Sequence, residues 1–439
     1  MLARMASKTL RDEAVELLQE LIRLDTVNPP GNETRAAELL RDYLEDAGIE
    51  CELYARDPDR ANLVARIRGR GDGKRLLLLG HTDTVLADPA EWTVDPWSGE
   101  LRDGCVWGRG ALDMKSQVAA EAVALATLAR EGFEPEGDLI LAATADEEVG
   151  TTGFGLSWLC EEHPDAVRAE YCVNEGGGDR VVVGGKPLYL CAVAEKMSSP
   201  FVLRVHGRSG HASMPGIADN ALVKAAALIE RVVAYKAERR LLPETQAFFE
   251  AVFGGVPSDA ELDERLAGLD PSVAGMVEPM LGLSISPTMI DASHKRNVIP
   301  GTCEVVCDCR LLPGETQTGA EASIRGWLGD GDYDFEWIEG VGGSRSSVAT
   351  PLWTAIADWV SREAPGAVAV PVVLPGFTDS HYLRESFGTI AYGFFPMRTM
   401  SAELASRLVH SADERIPVDD VELGARFLLD VARAVGAGA

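Results

Sequence analysis

Leu76-Leu77-Leu78-Leu79 is a run of four leucines with no polar residue inside it, and it leads directly into Gly80-His81-Thr82-Asp83. A strand with one wet face alternates apolar and polar side chains. A strand without alternation has to be covered on both faces. Residues 139–143 and 171–173 repeat the pattern, and they run into Asp146-Glu147-Glu148 and Asn174-Glu175. Apolar strands separated by helical stretches define an α/β fold, with a mostly parallel sheet and helices on both faces. In such a sheet, ligands gather beyond the carboxyl ends of the strands, where these acidic and imidazole groups fall.

The rest of the chain fits this frame. Ala14, Leu17, Leu18, Leu21 and Ile22 share a helical face within 12–24, which Asn28-Pro29-Pro30-Gly31 ends as a turn. Residues 62–67 and 75–79 read as strands, 116–130 as an Ala-rich helix and 421–435 as a final amphipathic helix. The character changes near 197–200. Phe201–His206 alternates as a half-buried strand, Ala221–Val233 is helical, and 285–290 and 303–310 again read as half-buried strands. This β-α-β-β stretch predicts a main domain in two parts, 1–197 and 312–439, around an inserted smaller α+β domain at 198–311. The acidic, partly helical residues 236–280 belong to the insertion on this reading, as a pocket wall, a dimer face or neither.

Charge and cysteines narrow the class. The 439 residues carry a net charge of −28, which repels phosphate backbones and anionic lipid, so nucleic-acid and membrane-surface binding are excluded. There is no run of 18 apolar residues, and the N-terminal stretch has no apolar signal-peptide core. The eight cysteines form no C-x-x-C pair, and Cys303, Cys307 and Cys309 share one strand face, the pattern of buried free thiols. A soluble, cytoplasmic protein is expected. No G-x-S-x-G elbow or P-loop is present, and Gly69-Arg70-Gly71-Asp72-Gly73 precedes a strand, so it is a turn and not a dinucleotide loop.

Two histidines and several carboxylates arriving at one sheet edge suit a hard-to-borderline dication, zinc first. Asp113, Glu148 and Glu175 bring three negative charges whose repulsion in a cleft is costly without cations, and a short Asp can bridge two ions about 3.5–4 Å apart. His81 and Asp83 are two residues apart, so in an extended segment Asp83 points the same way and can orient the imidazole. Glu147 and Glu148 are neighbours, and extended geometry directs one to metal and the other to the cavity as a general base.

In chain order, Gly80-His81-Thr82-Asp83, Gly110 to Lys115 with Asp113-Met114-Lys115, Asp146-Glu147-Glu148, Asn174-Glu175 and His410-Ser411-Ala412-Asp413-Glu414 resemble the M20 family of dinuclear zinc metallopeptidases. That family includes carboxypeptidases, aminoacylases, dipeptidases, desuccinylases and deacetylases. The resemblance implies a catalytic domain with an inserted lid or dimerisation domain. It implies two divalent metal ions, Zn2+ first and Co2+ or Mn2+ as alternatives. One would be held by His81 and Glu175 and the other by Glu148 and His410, with Asp113 bridging both. Glu147 would be general base and acid, and Asp83 would orient His81. The activity implied is hydrolysis of an amide bond in a small peptide or N-acyl amino acid through a metal-activated water. Ser116 replaces the family's usual Gly after the lysine.

Gly207 to Pro215 resembles the family's lid stretch, which makes His211 an oxyanion stabiliser, in some members across a homodimer. Asn297 and Arg310 match positions that in some members hold a substrate carboxylate. Arg310 has a second reading, as an ion-pair partner of Asp308 or Glu304. His163, His206, His294 and His381 read as locally bonded or surface histidines. The alternative to a hydrolase is a metal-binding relative without chemistry, which the intact ligand set and base disfavour.

Overall fold

The computed structural model describes residues 8–150, 153–269 and 271–438. Part of the N-terminal stretch read above, residues 1–7, lies outside them. The large sheet runs in the order Glu50–Ala55, Ala61–Ile67, Leu139–Thr144, Leu76–His81, Tyr171–Asn174, Ile390–Gly393, Lys186–Glu195, Val368–Leu374. Leu76–His81 is parallel to both its neighbours, as Tyr171–Asn174 is to Ile390–Gly393 and Val368–Leu374 to Lys186–Glu195. The edge hairpin Glu50–Ala55/Ala61–Ile67 is antiparallel.

The leucine run shows why alternation is missing. Leu76 and Leu78 enter the core under the helices Leu10–Ile22, Lys115–Arg130 and Val418–Gly436, while Leu77 and Leu79 enter a second core with Leu156, Leu159 and Leu383 on the opposite face. Helices cover both faces, so every position of Leu76–His81 is buried. Helix Lys115–Arg130 is Ala-rich because it is itself covered nearly all round.

The smaller sheet has the order Tyr333–Trp337, Phe201–His206, Thr302–Leu311, Met197–Ser198, Val341–Gly342, with Ser284–Asp291 also paired to Thr302–Leu311. Thr302–Leu311 alternates strictly, and Cys303, Cys307 and Cys309 pack inward with Phe201, Leu203 and Leu228. All eight cysteines are free thiols. This sheet draws Tyr333–Trp337 and Val341–Gly342 from beyond residue 311, where the insertion was expected to end.

The 236–280 stretch also departs from expectation. Helices Pro243–Phe253, Asp259–Ala267 and Pro271–Val277 share a core with Leu188, Leu190, Val370 and Val372, so they pack on the edge of the large sheet rather than on the smaller one. Phe248 and Phe249 supply the apolar face that makes this docking favourable.

Candidate metal centre

The five predicted ligands converge. His81 ends a central strand, Glu175 follows Tyr171–Asn174, Glu148 follows Leu139–Thr144, and Asp113 precedes helix Lys115–Arg130. His410 comes from a loop after Ala402–Leu408, in the left-handed region at φ 60°. His81, Asp113 and Glu175 offer ligand atoms that all lie within 4.8 Å of one another, and Asp113, Glu148 and His410 do the same. Asp113 is common to both groups: its Oδ1 is 3.2 Å from His81 Nε2 and its Oδ2 is 3.1 Å from His410 Nε2. Glu148 Oε2 is 3.2 Å from His410 Nε2, and Glu147 Oε2 is 3.9 Å from His81 Nε2.

Two glycines make this convergence sterically feasible. A Cβ on Gly80 would lie 2.7 Å from Val118 Cγ2, so only glycine lets the strand pass over helix Lys115–Arg130 one residue before His81. A Cβ on Gly393 would collide with the carbonyl oxygen of Glu175.

Supporting groups fix the ligands, and here the structure departs from the sequence reading in two places. Glu147 and Glu148 stand in a turn, not an extended segment. Both backbone N–H groups donate to the Asp83 carboxylate, at 3.2 and 3.1 Å. His81 Nδ1 lies 3.0 Å from the backbone carbonyl of Asp83 and 3.5 Å from its carboxylate. Asp83 thus positions His81 chiefly through its main chain, while its side chain holds the Glu147-Glu148 turn. A side chain fully buried with three N–H donors has little reason to move.

Three further residues escaped the sequence reading. Asn28 donates its amide to Asp83 Oδ2 at 2.9 Å and to Asp146 Oδ1 at 3.3 Å. The proline pair after Asn28 marks the turn that delivers it. Glu414, fully buried, accepts from the backbone N–H of Gly110, Leu112 and Asp113 and from Arg109 Nη1 at 2.6 Å. Its signal was two charges of opposite sign, Arg109 and Glu414, inside two ligand motifs. Asp379, buried, accepts from Thr144 Oγ1 at 3.1 Å.

The electrostatics follow from crowding. Burial, then the neighbouring Glu175, pushes Glu147 well up. Burial, then Asp113, raises Glu175 to about 7. Burial opposes a charged His81, but the hydrogen bond to Asp113 and the nearby carboxylates of Asp83 and Glu175 outweigh it and hold it protonated. Hydrogen bonds to Asp113 and Glu148 raise His410 to about 10. Burial alone would raise Asp113, yet the two imidazoles pull it far below the usual carboxylate range. A site where acids hold protons and histidines carry charge is one that binds cations in their place. Glu148 Oε1 is buried with no hydrogen-bond partner, which is a ligand atom aimed at something other than protein. The donor set of imidazole and carboxylate fits a zinc-like dication.

A cleft lined by Asp113, Glu147, Glu148, Glu175 and His410 opens over this cluster. Arg310, with Ser198 and Glu339, lines an adjoining cavity on the smaller-sheet side that shares Glu147, Glu148 and His410 with this cleft. It is held by Asp308 at 2.9 Å, the ion pair that the second reading allowed. His211 and Asn297 are elsewhere. They sit together on the exposed ribbon Gly210–His211/Val298–Ile299, where His211 Nδ1 accepts from Ser213 N at 3.2 Å and Ala212 N donates to Asn297 O at 3.0 Å. Neither lines the cleft. The other histidines make local contacts: His206 with Asp334, His163 with Tyr54 and Trp158, His381 with Phe377 and Tyr382.

A doubly covered α/β sheet with this cluster at its carboxyl edge is the architecture of a metal-dependent hydrolase. The model of peptidase family M20/M25/M40 matches residues 77–434, and the chain belongs to that family. It is 30% identical to a succinyl-diaminopimelate desuccinylase of Paracoccus denitrificans over 427 residues, covering 94% of this chain and 96% of that protein. Among solved structures it is similar to the M20 family metallo-carboxypeptidase Sso-CP2 of Sulfolobus solfataricus, with a TM-score of 0.74 at 17% identity over 97% of this chain and 99% of that one. The dipeptidase Dug1p of Saccharomyces cerevisiae gives a TM-score of 0.69 at 13% identity, covering 97% and 96%. No helix among the described residues is long and apolar enough to cross a membrane.

Proposed function

We propose that the protein hydrolyses the amide bond of a small peptide or N-acyl amino acid with two divalent metal ions, zinc first. His81, Asp113 and Glu175 hold one, and Asp113, Glu148 and His410 hold the other. Two dications there supply Lewis acidity toward a carbonyl oxygen and lower the pKa of water. Glu147 faces the cleft beside His81 and takes the proton of the attacking water at its carboxylate, then hands it to the leaving amine. Its raised pKa suits both transfers. Asp83 and Asn28 keep Glu147 and His81 in register. Arg310 lines the opposite wall and receives a substrate carboxylate. The smaller sheet and its helices, drawn from residues 197–233 and 284–342, form the lid. Its outer strand Ser284–Asp291, with Met289 and Ile290 exposed, supports a homodimer contact there. His211, on the exposed ribbon, acts on the oxyanion after lid closure or from a second copy. Its free thiols suit a reducing cytoplasm.

The observation that carries this reading is the single carboxylate, Asp113, shared by two three-residue ligand groups. Zinc-loaded protein incubated with a pooled panel of dipeptides and N-acyl amino acids tests it. Loss of one class by mass spectrometry, abolished by chelator, is expected. No loss of any member with two metals bound overturns it.

A further inference from the structure

The cleft over the cluster has a second end. At Gly176, Leu374 and Pro375 it adjoins a recess of about 100 Å³ beneath the 243–281 helices. The floor of the recess is Val372 and Leu374, and its roof is Phe248, Val273, Met276 and Val277. Met276 belongs to both cavities, so the helical segment that packs on the large sheet also shapes the cleft. Asp179 lines both as well and is the only charged residue among the described residues of the recess. Burial holds its carboxyl up at about 6, so at neutral pH it is an anion.

We propose that this recess is the specificity pocket of the enzyme, taking a short, uncharged apolar acyl or side-chain group, and that Asp179 at its junction with the cleft rejects an anionic chain. The proposal rests on the hydrolase reading above and names its substrate class. The two ends of the cleft then differ in kind. The Arg310 end carries a guanidinium and takes the substrate's carboxylate, the recess takes its apolar part, and the amide lies between them over the cluster. Apolar walls reward each buried methylene, while a chain ending in a carboxylate meets a like charge and loses its water without a partner.

Calorimetric binding to zinc-loaded Glu147→Gln protein, in which ligand persists, tests this with N-acetyl-, N-butyryl-, N-hexanoyl- and N-succinyl-alanine at pH 7.5. Butyryl is expected to bind about tenfold tighter than acetyl, at roughly threefold to fourfold per methylene. Succinyl is expected to bind no tighter than acetyl. Adding Val277→Trp, which fills the recess, should bring the butyryl-to-acetyl ratio to about one. Adding Asp179→Asn, a change that leaves the packing intact, should improve succinyl about tenfold relative to butyryl. Equal affinity for acetyl and butyryl, succinyl as the tightest ligand, or no binding by all four overturns the proposal. Binding that rises with chain length, without hydrolysis by the unsubstituted zinc-loaded protein, keeps the recess and overturns the hydrolase reading. Hydrolysis without a chain-length preference does the reverse.

Discussion

The two halves of the cluster are built from different materials. His81 ends a buried strand, its side chain is 1% exposed, and the main chain of Asp83 holds its second ring nitrogen. His410 stands in a left-handed loop and its side chain is 51% exposed. One half is part of the core; the other is assembled on it by a loop, itself tied down through Glu414 and Arg109. A rigid half and an adjustable half meeting at Asp113 give a site that is preorganised yet open to substrate on one side.

The largest effect that tests this contrast concerns a residue serving both halves. Glu147→Gln is expected to lower the turnover number about 10²–10⁴-fold with both metals retained, read by steady-state kinetics beside metal analysis. Loss of a metal along with turnover would show that Glu147 belongs to the ligand set instead. Next is Asp83→Asn, which loosens the buried half. It should weaken zinc binding about 10–100-fold in competition with a chelator, with the Glu147-Glu148 turn disturbed as well. On graded chelation, the ion of the His410 half should leave first; simultaneous loss would erase the distinction between halves.

A stability comparison follows. In metal-free protein His81→Ala leaves buried carboxylates without their cation and should cost about 3–5 kcal/mol, whereas His410→Ala should cost under about 1 kcal/mol, both from denaturant unfolding. Equal costs would mean that the exposed half is as integral as the buried one. The smallest effect is in pH. Glu175 is raised from 4.5 to about 7, so its contribution to metal-free stability is full below pH 4.5 and lost as pH rises through 7. His410 is raised from 6.5 to about 10, so its contribution is full below 6.5 and lost through 10. Melting temperature of metal-free protein should therefore fall as pH rises, with the loss near pH 7 reduced by Glu175→Gln and the loss near pH 10 reduced by His410→Gln.

Much of this was legible in the sequence because it depends on short-range pattern. Residues 76–79 and 139–143 have no wet face, so a doubly covered sheet was the one place for them, and the residues just past them had to meet at its edge. What escaped depends on contacts distant in sequence. The turn at Glu147-Glu148 is held by Asp83, 64 residues away, and Asp83 by Asn28, 55 residues away, and no local propensity encodes either bond. The acidic surface of 236–280 hid its apolar face, since Phe248 and Val277 show only when the partner strand Val368–Leu374 is in place. Tyr333–Trp337 alternates like any half-buried strand, and nothing within it says which of two sheets it joins.

Lys196, at the crossing between the two sheets, is fully buried and donates from Nζ to the carbonyls of Pro279 and Gly282 and to Ser284 Oγ. The residue after it begins the smaller sheet, Pro279 and Gly282 close the helical segment that roofs the recess, and Ser284 opens a strand of the smaller sheet. One buried ammonium thus ties the roof of the recess to the smaller sheet. Should the smaller sheet move over the cluster, that motion and the filling of the recess would be thermodynamically linked, each favouring the other by the same factor.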